Sequence, residues 1–177
     1  MRSLRGEKFE AAATKYADNI YAVAFNYFKN PYDADDIVQE VLMALYQSNT
    51  DFESEEHLKY WLLRVAVNRC RKISVSARVR HNISFEEYAE NMRKSSESDA
   101  WNIGSDTAGE QDTAVRNFEI LTQVMKLPKK YRSVIHLFYY EDYDSKKIAE
   151  LLGLNEGTVR TRLARGRKML KEVLSDV

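Results

Sequence analysis

The last fifth of the chain carries basic side chains whose spacing suits contact with phosphate groups. Residues 156–171 are predicted to form one helix, and no acidic residue lies between Gly157 and Lys171. Clustered cations repel one another in a purely structural helix, whereas opposite a nucleic-acid backbone they gain affinity by releasing counterions. The cations are Arg160, Arg162, Arg165, Arg167, Lys168 and Lys171. The pattern favours nucleic-acid contact over a solvated amphipathic helix, the other interpretation that a charge run allows.

Two helices separated by a glycine must position these cations. Asp144 is a predicted N-cap for the first helix, and Asn155 is a predicted N-cap for the second. Gly153 lies between them, where a residue in the left-handed conformation would end the first helix. This is the layout of a helix-turn-helix, whose second helix enters the DNA major groove.

Side chains near the start of the second helix are predicted to face the groove, and those further along to hold the protein on the phosphate backbone. The groove-facing candidates are Glu156, Thr158, Arg160, Thr161 and Arg162. The backbone candidates are Arg165, Arg167 and Lys168. The pattern leaves open which individual side chains contact bases.

Charge is distributed unevenly along the 177 residues, although the net charge is zero. Residues 116–177 carry 13 Lys and Arg against 8 Asp and Glu, while residues 81–115 carry 2 against 8. The overall neutrality therefore hides a basic C-terminal module behind an acidic middle segment.

Helical periodicity predicts an all-α fold with two small helical domains joined by a flexible acidic linker. The first domain, residues 1–80, has predicted helices over residues 7–28, from an N-cap at Asp33 to Gln47, and over 57–73, with a polar loop at 48–56. Residues 81–114 have linker composition. The second domain, residues 115–177, has helices over 115–126 and 128–141 before the helix-turn-helix. Trp61 shares the apolar stripe of the third helix, which favours a core role over base stacking.

No group of residues suggests catalysis or metal binding. The histidines, His57, His81 and His136, are scattered, and no glycine-rich phosphate loop occurs. The single cysteine, Cys70, excludes an internal disulfide framework and a cysteine zinc site. The sequence predicts a protein that is not an enzyme and binds no metal or other cofactor. Without a membrane-length apolar run or a signal-peptide pattern, it also predicts a cytoplasmic protein with no membrane insertion.

Four motifs in order resemble the extracytoplasmic-function (ECF) group of bacterial RNA polymerase sigma factors. They are Asp33-Ala34-Asp35-Asp36-Ile37-Val38-Gln39-Glu40-Val41, Tyr60-Trp61-Leu62-Leu63-Arg64-Val65-Ala66-Val67-Asn68-Arg69-Cys70-Arg71, Leu127-Pro128-Lys129-Lys130-Tyr131-Arg132 and Glu156-Gly157-Thr158-Val159-Arg160-Thr161-Arg162-Leu163. The resemblance covers nearly the whole chain. It departs from the family's pattern at Arg71 or Lys72, where an acidic residue is frequent.

The resemblance implies a polymerase partner and a role for each domain. The first would dock on a coiled coil of the largest polymerase subunit through Asp35, Asp36, Gln39 and Glu40. It would melt the −10 element with its third helix and capture a flipped base in the loop 48–56, through Asn49, Asp51, Phe52, Arg64, Asn68, Arg69, Arg71 and Lys72. The second would bind the −35 element of promoter DNA. An anti-sigma factor is a further implied partner.

Two other functions are compatible with parts of the pattern. A stand-alone transcription regulator would use the same helix pair on duplex operator DNA as a dimer. An adaptor that binds and blocks polymerase would keep the acidic helix. The stand-alone regulator needs neither the acidic second helix nor the basic third helix. The adaptor does not need the cations of the last helix.

Overall fold

A computed structural model describes residues 6–75 and 120–175 of the chain. The helices are α1 (Glu7–Phe28), α2 (Pro31–Gln47), α3 (Glu55–Val75), α4 (120–126), α5 (Lys129–Tyr139), α6 (Ser145–Leu152) and α7 (Glu156–Ser175). All regular structure in these two ranges is helical, which confirms the predicted fold class. The predicted linker, residues 81–114, lies outside the described residues.

Helices α1, α2 and α3 pack around one core in the N-terminal domain. Ile20 from α1, Ile37 and Leu45 from α2, and Leu62 and Leu63 from α3 are fully buried in it. Each such side chain contributes roughly 1.5–3 kcal/mol when it leaves water. Trp61 packs half-buried against the edge of this core, which supports the core role predicted for it.

The start of α2 differs from the prediction. Asn30, not Asp33, is the N-cap: its side-chain oxygen accepts hydrogen bonds from the backbone N–H of Tyr32 at 2.9 Å and of Asp33 at 3.3 Å. Pro31 follows at the first helical position, where its missing N–H has no helical partner to lose. Asp33 is instead buried inside the first turn.

Helix α3 begins at Glu55, two residues before the predicted start at His57. Ser54 accepts two hydrogen bonds from the first turn of α3. Its hydroxyl oxygen accepts from the backbone N–H of His57 and its carbonyl oxygen from that of Leu58, both at 3.1 Å. The loop that precedes α3 is therefore shorter than predicted and ends at Ser54.

The helix-turn-helix has the predicted caps. Asp144 Oδ1 accepts from the Lys147 N–H and Asn155 Oδ1 accepts from the Thr158 N–H, both at 2.7 Å. Gly153 ends α6 at φ 61° in the left-handed region, as expected of a glycine at that position. The preceding helix, α5, ends at Tyr139 rather than near Glu141.

The two domains pack against each other. Helix α1 contacts α5, and α3 contacts α6, the first helix of the helix-turn-helix. Arg132, which is almost fully buried, donates from Nε to the backbone oxygen of Asn26 at 2.6 Å and from Nη1 to that of Leu127 at 2.9 Å. Burial lowers the pKa of Arg132 to about 10, so its cation depends on these carbonyls for solvation.

Candidate nucleic-acid interface

Helix α7 displays most of the predicted DNA-binding side chains to solvent. Its exposed members are Arg160, Thr161, Arg165, Arg167 and Lys168, and its half-buried members are Glu156, Thr158 and Arg162. The buried stripe of α7, formed by Val159, Leu163 and Gly166, faces the rest of the domain. The burial of this stripe fixes which face of the helix can meet a groove.

Local contacts hold several of these side chains in place. Arg160 forms an ion pair with Glu156 one turn earlier, and Thr161 donates its hydroxyl to the Gly157 carbonyl at 3.0 Å. A side-chain hydrogen bond from Arg165 lowers the pKa of the Tyr131 hydroxyl. These contacts orient the side chains of Arg160, Thr161 and Arg165 on α7.

Arg167 lies about two turns beyond Arg160 along α7 and contacts the end of α5. Its Nε donates to the Tyr139 hydroxyl at 2.8 Å, and its guanidinium lies 5.1 Å from the centre of the Phe138 ring. It borders an open groove of about 580 Å³ whose apolar lining includes Leu170 and Leu174. Arg167 is thus separated from the groove-facing candidates.

The basic face of α3 is exposed along one line. Arg64, Asn68 and Lys72 recur every four residues and are all exposed, as a strand-binding surface requires. Arg69 points towards α2 instead, where its Nη1 lies 3.7 Å from Glu40 Oε2. Arg71 is half-buried and points towards the helix-turn-helix.

The loop between α2 and α3 is anchored by one aromatic side chain. Phe52 packs edge-on against His57 and Trp61, with ring centres 5.5 Å apart in each case. Asn49 and Asp51 remain exposed on either side of it. The loop can therefore present two polar side chains from a fixed base, with Phe52 as the support.

The predicted acidic surface lies on the outer face of α2. Asp35, Asp36 and Gln39 are exposed, and Glu40 is half-buried. Partial desolvation of the carboxylate, together with the neighbouring carboxylate of Asp36, raises the pKa of Asp35. A cation arriving from a partner would relieve this repulsion, which makes the surface complementary to a basic helix.

Sequence reasoning missed the apolar members of the same face. Tyr32, Met43 and Tyr46 are 64%, 61% and 51% exposed. With Phe9 of α1, Met43 and Tyr46 line a shallow groove of about 410 Å³ that also includes Gln39. A signal was present, because Met43 and Tyr46 fall outside the buried stripe of α2.

A second missed group lies between the domains. The carboxylate of Glu141, only 3% exposed, accepts from Asn19 Nδ2 at 2.9 Å and lies 3.0 Å from Lys59 Nζ. Its other oxygen lies 3.3 Å from His136 Nε2. His136 therefore has a carboxylate neighbour that sequence spacing did not indicate. No local pattern could have revealed this group, since Asn19 and Glu141 are 122 residues apart.

Within residues 6–75 and 120–175, no cluster of three or more metal-ligating side chains occurs. The described helices also include none long and apolar enough to cross a membrane.

Comparisons with known proteins match both domains. A family model for sigma-70 region 2 matches residues 12–78, and one for sigma-70 region 4 matches residues 117–170. The chain is 30% identical over 173 residues to the ECF RNA polymerase sigma factor SigW of Bacillus subtilis, covering 92% of this chain and 86% of SigW. It is also 30% identical over 162 residues to the sigma factor SigV of the same organism, covering 89% and 86%.

A solved structure has the same fold. The sigma factor RpoE of Bartonella quintana, in complex with the anti-sigma factor NepR, superposes with a TM-score of 0.62 at 20% identity. The superposition covers 96% of this chain and 98% of RpoE.

Proposed function

Because the chain belongs to the ECF sigma factors of the sigma-70 family, we propose that its two domains divide promoter recognition between the −10 and −35 elements. The chain directs promoter recognition by RNA polymerase and is not itself an enzyme. The proposed domains are residues 1–80 for the polymerase and the −10 element and 115–177 for the −35 element, with 81–114 as the linker. We propose a cytoplasmic location, where polymerase and promoter DNA are found.

The observation that carries this assignment is the separation of charge on neighbouring helices. One face of α2 is acidic and apolar, whereas α3 and α7 expose basic side chains. An acidic surface would repel DNA, and basic surfaces suit it. Different surfaces of one chain can therefore bind a protein and a nucleic acid at the same time.

The polymerase-docking face consists of the acidic residues of α2 and the apolar residues beside them. It comprises Tyr32, Asp35, Asp36, Gln39, Glu40, Met43 and Tyr46. Charges steer a basic coiled coil towards it, and buried apolar side chains then supply most of the affinity. The largest polymerase subunit is the proposed partner.

The −10 element is assigned to α3 and the loop before it. Arg64, Asn68 and Lys72 follow the melted strand along the exposed face of α3, and Arg69 and Arg71 flank them. Asn49 and Asp51 contact an unstacked base at the loop. Phe52 anchors this loop by packing against His57 and Trp61. Stacking and a basic groove are what hold a single strand in general.

The −35 element is assigned to the start of α7. Glu156, Thr158, Arg160, Thr161 and Arg162 would meet base edges or adjacent phosphates, and Arg165 and Lys168 would bind the backbone further along. The position of Arg167 beside Tyr139 supports only a peripheral phosphate contact.

An anti-sigma factor is the proposed regulator. RpoE of Bartonella quintana, whose fold this chain shares, is bound by the anti-sigma factor NepR. By analogy, such a partner would compete for the exposed apolar surfaces, of which the α2 face is one.

Permanganate footprinting on a cognate promoter tests the −10 assignment. With polymerase core and the wild-type protein, unpaired thymines in the −10 element become reactive. We expect Asn68→Ala and Lys72→Ala to reduce that reactivity while duplex protection at −35 persists. Lys8→Ala, an exposed change on α1, is the control. Unchanged reactivity in both α3 variants would contradict the assignment.

A further inference from the structure

The carboxylate of Glu141 is the centre of a contact that joins the two domains. It projects from the segment between α5 and α6 and is surrounded by Asn19 of α1, Lys59 of α3 and His136 of α5. The Glu141 backbone oxygen lies a further 3.4 Å from Lys59 Nζ. A carboxylate buried to this degree is stable only when partners supply its hydrogen bonds, and two of its three partners belong to the other domain.

Around this centre, further polar contacts join the two domains beside an apolar core that is continuous between them. Lys129 Nζ lies 3.5 Å from the centre of the Tyr27 ring, and Lys147 forms an ion pair with Glu56. Interfaces between domains of one chain resemble transient complexes more than permanent ones. Each of these side chains can return to water when the domains separate.

Two buried phenols weaken the closed arrangement. Tyr60 of α3 and Tyr143 of the other domain pack with ring centres 6.1 Å apart. Both hydroxyls are buried and make no hydrogen bond to any residue in the described ranges. Burial raises the pKa of Tyr143, and the Glu141 carboxylate adds to the shift. Since a buried hydroxyl without a partner costs free energy, separation of the domains would relieve both residues.

The closed arrangement also covers part of the basic surface of α3. Arg71 lies against the turn of the helix-turn-helix, where a methyl group added at Gly153 would lie 3.4 Å from its Nη1. Arg71 follows Asn68 and lies beside Lys72 on the proposed path of the melted strand. A strand on that path would meet the turn before it reached the end of the helix.

From these contacts we infer that Glu141 and its partners form a latch that holds the free protein closed, and that the latch must open for α3 to bind the −10 strand. The polar partners of Glu141 stabilise the closed state, and the two buried phenols limit that stabilisation. The latch concerns only the conformation of the free protein. Its consequence for DNA rests on the proposed role of Arg71.

Energy transfer between two dyes on the full chain tests the latch. The dyes are attached at Ala11→Cys and Ala164→Cys, two exposed helix positions in different domains, while the fully buried Cys70 stays unlabelled. Glu141→Gln removes the charge and keeps the shape of the side chain. The matched control is Asp142→Asn, which removes the same charge one residue away at an exposed position whose φ of 60° asparagine tolerates.

We expect Glu141→Gln to raise the ratio of open to closed molecules at least about tenfold, because a buried charged group loses its partner. Lys59→Met, on the other domain, should also raise the ratio of open to closed molecules. The reactivity of Cys70 reports whether a variant is folded, and Lys59→Met alone tests the latch if Glu141→Gln disturbs the fold. Asp142→Asn should behave as the wild type. Wild-type transfer in folded Glu141→Gln, or an equal change in Asp142→Asn, would overturn the latch.

A second measurement separates the latch from its consequence. The affinity of the polymerase-free, unlabelled protein for a single-stranded −10 oligonucleotide should rise in Glu141→Gln by the same factor as the open fraction. Opening without any gain in strand binding would contradict the role given to Arg71 and would leave the latch supported.

Discussion

Lys59 and Glu141 are 82 residues apart in the sequence, yet Lys59 Nζ lies 3.0 Å from Glu141 Oε2 across the two domains. This pair lies close to both proposed DNA-binding elements, since Lys59 is on α3 and Glu141 precedes the helix-turn-helix. A change in the pair is therefore a change in how the −10 and −35 surfaces are oriented.

Acidic pH is expected to separate the domains. Burial acts to raise the pKa of Glu141, but the nearby His136 and Lys59 side chains outweigh it, so that the pKa lies below its usual value. The carboxylate thus stabilises the closed state fully above the ordinary glutamate pKa of about 4.3, and this stabilisation is lost as the pH falls through the lower, closed-state value.

Energy transfer in the doubly labelled protein, followed from about pH 7 to pH 3, measures this loss. The wild type and Asp142→Asn should share one acid transition, with helix content monitored in parallel. Glu141→Gln should lack that transition. A transition of the same size in Glu141→Gln would assign it to another group.

The thiol of Cys70 is expected to be unreactive in the folded protein. Burial raises the pKa of Cys70 to about 12, and the residue is fully enclosed in the core of the first domain. Because the thiolate is the reactive form, a thiol-specific reagent at neutral pH should modify this cysteine only when the domain unfolds. Rapid modification without denaturant, at the rate seen for unfolded protein, would contradict its burial.

The two classes of basic residue on α7 should respond differently to truncation. Arg160→Ala should weaken −35 binding by about 1–3 kcal/mol and relax the sequence preference, if the guanidinium leaves Glu156 for a base. Lys168→Ala should weaken binding to all sequences by a similar factor. It should also reduce the slope of the logarithm of affinity against the logarithm of salt concentration by about one. Salt titrations on matched and mismatched duplexes measure both effects. An unchanged preference in Arg160→Ala would place that residue among the phosphate contacts.

The turn of the helix-turn-helix should be sensitive to the loss of one glycine. At φ 61°, Gly153→Ala should lower the free energy of unfolding by about 1–2 kcal/mol, and Gly153→Asn by less, because asparagine tolerates the left-handed region. Gly157→Ala is the control, since Gly157 lies in the first turn of α7 without a positive φ. Denaturant unfolding compares the three variants, and equal effects at both glycines would refute the conformational argument.

Local signals were sufficient to predict the helix-turn-helix. Asp144, Gly153 and Asn155 act through hydrogen bonds or dihedral angles within three residues, and all three occupy their predicted positions. At α2, two residues with cap-forming side chains, Asn30 and Asp33, lay close together, and the proline between them decided in favour of Asn30. Boundaries of this kind depend on geometry that composition alone does not resolve.

The parts that escaped prediction depend on contacts between distant segments. The partners of Glu141 come from three helices in two domains, so no periodicity links them. The exposure of Tyr32 and Met43 follows from how α1 and α3 cover α2, which leaves one face of α2 uncovered by the other described helices. Tertiary packing, rather than propensity, determined both features.

Run-off transcription with purified core polymerase tests the central claim most directly. Specific transcripts should appear only when the protein is added, and they should vanish when Asp36→Lys and Glu40→Lys reverse the charge of the docking face. Glu7→Lys and Asp18→Lys, the same change at exposed positions of α1, should retain them. No transcript from the wild type on any genomic promoter fragment, together with tight duplex binding by the protein alone, would contradict the account.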